Sequence, residues 1–351
     1  MKARIKEYDA LRVVLTLLVV AGHSTYLLLS TKYGGISYRN DIVSSGYELS
    51  SLYIFFDHIN EFIYLFHMEI FMLLSGTLFE REINKYDTRT LATKKAKKLL
   101  LPFIITLSLI VIPIKLLTGY WAASNNVFKD ILIGQFLLQG NIYLWFLPVL
   151  FTIFFIVYFL VKKKADSKIV GTFFLILYFL SNLIKIRFAM YIFKYLIWFY
   201  LGIIFNRNRS LINKHISLKN TLFSIIGVSG ACIAYSLLPP YAQILIKPII
   251  TVLMVFIIYA ACCSYSKKWS GKSIILKHSF ALYLLADPVN YIFLFLVFKL
   301  CPLSIFSSNM WSLLIIVLRF FAQLIVSLAV IMIIKTIKKH ITNRIIYSKS
   351  L

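Results

Sequence analysis

Apolar runs long enough to cross a lipid bilayer recur along this chain from one end to the other, and nothing constrains its fold more. Inside a bilayer every backbone amide needs an internal partner, which a helix supplies within each run. Continuous runs of about 20 apolar residues, without strict alternation, read as helices. About ten are distinguishable, near residues 10–30, 56–79, 99–119, 142–161, 169–185, 188–205, 220–238, 244–264, 279–299 and 311–334. The chain therefore reads as an all-α, polytopic integral membrane protein, one domain over residues 1–351 with no soluble domain. Its composition agrees, with 60% hydrophobic and 15% charged residues.

The formal net charge of +25 invites a nucleic-acid reading, which the distribution of charge rejects. Of the 38 Lys and Arg, 27 fall in alternate connections: Lys2 to Lys6, Arg81 to Lys98, Lys162 to Lys168, Arg207 to Lys219, Lys267 to Lys277, and the tail from Lys335. The other connections hold only Lys32, Arg39, Lys129, Lys185, Arg187, Lys247 and Lys299. This is the positive-inside pattern, and it places both termini in the cytoplasm, with the bilayer and not a nucleic acid as the partner of the charge. The first span is too long, and lacks the cleavage site, for a removable signal peptide. Cys232, Cys262, Cys263 and Cys301 have neither disulfide nor metal spacing and read as small apolar residues.

Ionisable residues inside such spans are costly and mark functional sites. Arg12 and His23 both lie in the first span. Eleven residues at about 100° each leave them roughly 20° apart around a helix, separated by about 16 Å of rise. Asp9 falls on the same stripe. The second span is unusually polar, with Asp57, His58, Glu61, His67 and Glu69 ahead of Ser75-Gly76. His58 and Glu61 are spaced to pair, whereas His67 and Glu69 point apart. Lys94, Lys95, Lys97 and Lys98 crowd the start of the third span, suited to headgroup anchoring or to the phosphates of a polyanionic donor. Trp145 opens the fourth span and Trp198 lies near the end of the sixth, positions typical of interfacial belts. Tyr283 and Asp287, four apart, share a face of the ninth, and the carboxylate needs a partner; Lys115, Lys194 and Arg319 are the available cations. The outward loop 31–55, with Tyr33, Gly34, Gly35, Tyr38, Asp41, Tyr47 and Glu48, suits either sugar stacking or a plain interfacial role. No Gly-rich phosphate loop, HExxH, GxSxG or CxxC occurs, so neither a metal centre nor a nucleotide hydrolase is expected.

These segments, in this order, resemble the integral-membrane acyltransferase 3 family, and within it the fucose 4-O-acetylase-like and exopolysaccharide O-acetyltransferase branch. The likeness rests on Asp9-Ala10-Leu11-Arg12 followed by His23, on Phe66-His67-Met68-Glu69 running to Ser75-Gly76, and on the basic stretch from Lys94 to Leu100-Leu101-Pro102. Leu144-Trp145-Phe146-Leu147 and Tyr283-Leu284-Leu285 match as well. Two positions depart from the family pattern: Glu69 stands where proline is preferred, and Asp287-Pro288 where His-Pro is common.

The resemblance implies transfer of an acyl group, usually acetyl, from cytosolic acetyl-CoA to a hydroxyl of a cell-surface or lipid-linked glycan, with no bound cofactor. His23 would act as general base or transient acyl carrier. Arg12 would hold the donor or keep His23 in register, and His67 would orient or move a proton. Lys94, Lys95, Lys97 and Lys98 would attract the donor's ADP part, with Asp9, Glu69, Ser75, Trp145, Tyr283 and Asp287 in support. No appended esterase-like domain is visible, so the membrane unit is expected to complete the transfer in a bacterial plasma membrane. Oligomeric state, acyl group and acceptor hydroxyl are not legible. A proton-coupled transporter or flippase is the rival class, since buried His, Arg, Glu and Asp also serve carriers.

Overall fold

The structure is a computed structural model and describes residues 4–140, 142–162, 167–269 and 271–348. Lys2, Lys163, Lys164 and Lys349 of the basic segments lie outside the described residues. The chain is 82% helical, with no strand among the described residues. In chain order the helices begin with α1 (Lys6–His23), α2 (Tyr38–Ser44), α3 (Ser51–Tyr64) and α4 (His67–Glu80). A long helix, α5 (Thr88–Leu117), is followed by the short α6 (Val127–Ile131), then α7 (Tyr143–Lys162) and α8 (Ser167–Leu183). Next come α9 (Arg187–Arg207), α10 (Arg209–Lys214), α11 (Leu218–Leu237) and α12 (Pro240–Ser266). The chain closes with α13 (Ile274–Leu300) and α14 (Asn309–Ser348).

Among the described residues, eight helical stretches are long and apolar enough to cross a membrane: α3 with α4, α5, α7, α9, α11, α12, α13 and α14 as far as Ile337. This is an all-α, multi-pass membrane protein. The first and fifth expected spans are helical too, but α1 carries Lys6, Glu7, Asp9 and Arg12 in its 18 residues and α8 is shorter.

Local sequence explains the ends and irregularities. Ser37, Asn126, Ser217 and Ser273 cap α2, α6, α11 and α13, each side chain accepting from an N–H in the first turn. Within α5 the backbone widens into π turns at Ala96–Leu100 and Leu107–Val111, beside Pro102 and Pro113. A proline ring cannot donate and clashes with the carbonyl four residues back, and a wider turn relieves both.

The helices form two compact units, each interleaved along the chain. The larger comprises Met1–Leu15, Leu29–Ile36 and Glu61–Gly271. Its centre is the close approach of α4 and α9. A Cβ on Gly76 would lie 1.9 Å from the Phe199 carbonyl oxygen, and one on Gly202 would lie 2.0 Å from that of Leu73. Only glycine allows the two backbones to touch, the small-residue device of membrane helix pairs. Glu69 beside Lys194 and Glu80 beside Asn206 show that the two helices run parallel.

The smaller unit comprises Thr16–Leu28, Ser37–Asn60 and Lys272–Leu351. The end of α1 packs on α13 and α14 through Val20, Leu282, Ala286, Leu324 and Ile331. One face of α14 is polar and fully buried: Ser312, Arg319, Gln323 and Ser327, spaced seven, four and four apart. Tyr38, expected in the outward loop, is buried and packs its ring at a tilt on Phe298, centroids 4.2 Å apart.

Candidate active site

The first helix stops at His23, well short of the expected end of the span near residue 30. The last four carbonyls of a helix have no partner within it. Here Ser24 Oγ donates back to the Val20 carbonyl at 2.8 Å. The His23 carbonyl accepts from Asn290 Nδ2 at 2.6 Å and from Arg319 Nη2 at 3.1 Å. The helix end is thereby tied to α13 and α14 at the residue that carries the imidazole.

Nδ1 of His23 lies 3.2 Å from Oδ1 of Asp287. The same oxygen accepts from the Tyr26 hydroxyl at 2.7 Å, and the Tyr26 ring meets the imidazole edge-on at 5.9 Å. Asp287 is thus held by two groups from one end of α1. None of the three cations available to it in the sequence makes that contact. Lys115 donates to Gln135, Lys194 faces Glu69, and Arg319 takes a different part.

Arg319 has no exposed surface, and the site's framework runs through it. Its Nε donates to Asn290 at 2.9 Å and Nη1 to the Tyr53 hydroxyl at 2.9 Å. Nη2 serves the carbonyls of His23 and Tyr26, at 3.1 and 2.9 Å. A guanidinium presents five N–H donors in a rigid fork, and four oxygens receive them here, which makes its burial tolerable. In the sequence Arg319 reads only as a loose cation, and Asn290, Tyr26 and Tyr53 escape notice. The polar stripe of α14, and Tyr283, Asp287 and Asn290 at spacings of four and three on α13, were the available signals.

The other expected residues belong to the larger unit, Tyr283 excepted; it is half-buried on α13. Asp9 pairs with Arg4, and Arg12 is half-buried on α1. His67 lies within the second span, Ser51–Glu80, just after a turn at residues 65–66. The helix breaks after Tyr64, and His67 opens α4, its Nδ1 2.8 Å from the Ile63 carbonyl and its ring edge-on to Tyr64. Ser75 Oγ donates to the Phe71 carbonyl within its own helix. Trp145 stacks on Tyr191 and Tyr195, with centroids 4.2 and 5.0 Å away. Lys94 lies over the Tyr86 ring and Lys95 over Phe154, while Lys97 and Lys98 are exposed.

A different set of cations surrounds the unit's large cavity, of about 880 Å³. Arg4, Lys6, Arg81, Arg207 and Arg209 line it, with Glu7 the one carboxylate among its lining residues. It opens where α4, α9 and α12 end, beside the basic connections. Glu7 accepts from Arg209 at 3.0 Å, and Glu80, set behind the wall, lies 3.5 Å from Arg207. The wall keeps a surplus of positive charge, and the volume suits a cofactor-sized anion. Among the described residues no cluster of His, Cys, Asp or Glu fits a metal ion.

The fold is that of a multi-pass helical membrane protein, and its smaller unit sets a half-buried imidazole 3.2 Å from a carboxylate. Residues 5–336 match the acyltransferase domain called acyltransferase 3, and the chain belongs to that family of membrane acyltransferases. No curated protein and no solved structure matches it.

Proposed function

We propose that this protein is an O-acetyltransferase of the bacterial plasma membrane. It would take acetyl from cytosolic acetyl-CoA and place it on a hydroxyl of a cell-surface or lipid-linked polysaccharide, with both termini in the cytoplasm. The observation that carries the reading is the 3.2 Å approach of His23 Nδ1 to Asp287 Oδ1. Nδ1 completes no well-directed hydrogen bond at that distance, and a small ring rotation toward Asp287 would hold the tautomer protonated there, with the accepting lone pair on Nε2.

The reaction then follows from the acceptor's chemistry. An acceptor hydroxyl gives its proton to His23 Nε2 as its oxygen bonds to the thioester carbonyl carbon. The imidazolium that forms is stabilised by Asp287. Collapse of the tetrahedral species breaks the carbon–sulfur bond, and His23 returns the proton to the departing CoA thiolate. Water would hydrolyse the thioester, so a site within membrane helices protects the donor. Tyr26 steadies Asp287, and Arg319 with Asn290 fixes the backbone that carries His23.

The donor's phosphates are assigned to the cavity lined by Arg4, Arg81, Arg207 and Arg209, since guanidinium forks match phosphate oxygens. Lys94 to Lys98 remain as an attracting basic surface beside the bilayer. The test is the O-acetyl content of the surface polysaccharide, read by proton NMR in deletion cells carrying wild-type protein or His23→Ala. Acetyl signals with wild type alone are the expected result. Equal acetylation in both strains would sink the role given to His23 and favour a proton-moving carrier.

A further inference from the structure

Glu69 lies on α4 in the larger unit, facing two lysines from other helices. Its side chain is buried, and neither oxygen completes a well-directed hydrogen bond among the described residues. Lys247 Nζ lies 3.4 Å and Lys194 Nζ 3.7 Å from the same oxygen, Oε1. Tight ammonium–carboxylate bridges close to about 2.7–2.9 Å. Two lysines at these longer distances from one carboxylate leave one positive charge uncompensated. Both lysine side chains keep some exposure, 25% for Lys194 and 19% for Lys247.

That exposure opens into a cavity of about 190 Å³. Tyr178, Asn182, Tyr235 and Gln243 line it with the two lysines, an arrangement of hydrogen-bonding groups around a cationic wall. Glu69 sits behind that wall. Lys194 and Lys247 each lie seven residues past the starts of α9 and α12, while Arg207 and Ser266 of the larger cavity end the same helices. At 1.5 Å of rise per residue the two cavities are about 20–28 Å apart along these helices. They occupy opposite ends of one helix set, as a donor site and an acceptor site on two sides of a bilayer would.

We propose that the smaller cavity is an anion subsite that takes the carboxylate of an acidic sugar. Its volume falls below the roughly 300–1,000 Å³ of pockets for larger ligands, so it receives one ring and not an oligosaccharide. The single surplus charge matches a monoanionic carboxylate better than a phosphate. Its role as acceptor subsite rests on the acetyltransferase reading, whereas the binding itself does not.

Ligand-observed NMR titrations of purified full-length protein in detergent, without acetyl-CoA, test this with glucuronate, glucose and glucose 1-phosphate. Glucuronate should bind saturably and at least ten-fold more tightly than the other two. Lys247→Gln should weaken glucuronate ten-fold or more and Lys247→Arg should retain it, with folding checked by size exclusion. Glu69→Gln removes the competing carboxylate and should tighten glucuronate several-fold. Equal binding of glucose, tighter binding of the phosphate, no saturable glucuronate binding, or loss of binding in a folded Glu69→Gln protein would each overturn the subsite. Retained glucuronate binding by protein from cells that show no O-acetylation would refute acetyl transfer alone.

Discussion

The guanidinium of Arg319 holds the backbone carbonyl of His23 at 3.1 Å, so a cation in the last span fixes the end of the first. Its charge alone would not do this; four directed bonds do. Arg319→Lys keeps the charge and loses the fork. We expect the protein to insert and fold, with kcat for acetyl transfer down about ten-fold or more, as expected for lost bonds to a charged group. KM for acetyl-CoA should not move. A raised KM with unchanged kcat would refute the positioning role.

Asp287→Asn preserves the shape around His23 and removes the carboxylate charge 3.2 Å from its Nδ1, which the proposed reaction uses to stabilise an imidazolium. Transfer should fall by about 10²–10⁴-fold, the range general-base catalysis supplies. Purified enzyme with acetyl-CoA and a thiol-detecting reagent reads this directly. Wild-type turnover in this variant would mean that His23 acts without its carboxylate.

Arg209→Gln removes one cation from the large cavity and leaves Glu7 without its 3.0 Å partner. KM for acetyl-CoA should rise about ten-fold, since one bond to an ionised group contributes about 1.5–3 kcal/mol. Adding salt should raise the wild-type KM as well, because a wide cavity is screened. Lys97→Gln with Lys98→Gln should have a smaller effect. The reverse ranking would move the donor to the lysine cluster.

Gly202→Ala puts a methyl group 2.0 Å from the Leu73 carbonyl oxygen, a distance backbone cannot tolerate. Parting α4 from α9 should destabilise the protein by about 1–3 kcal/mol, the usual cost of overpacking. Thermal unfolding in detergent, followed by fluorescence size exclusion, measures it. An unchanged midpoint would show that the two helices are not held by this contact.

Much of the architecture was legible because hydropathy is local. The stretch from Trp311 to Ile334 in the last span, or that from Phe146 to Val161, declares a helix by its own composition. The spacing of Arg12 and His23 on α1 was equally local, as was the need of Asp287 for a partner.

Where the helices stop was less legible. The ends of α1 at His23 and of α3 at Tyr64 fall inside apolar runs whose hydropathy continues past them. Those breaks depend on which distant groups satisfy the freed carbonyls. For His23 they are Asn290 and Arg319, far along the chain.

By itself the sequence determined the class of protein, most of its helical stretches and the inventory of ionisable groups within them, because each follows from residues close together in the chain. Tertiary structure alone decided the pairings. Asp287 had three cations to choose from and instead took His23 and Tyr26, the latter 261 residues away. Glu69 took two lysines from two other helices, and the arginines of the large cavity came together from separate segments. Electrostatic and hydrogen-bond energies fall steeply with distance, and only packing sets the distances between residues so far apart in the chain.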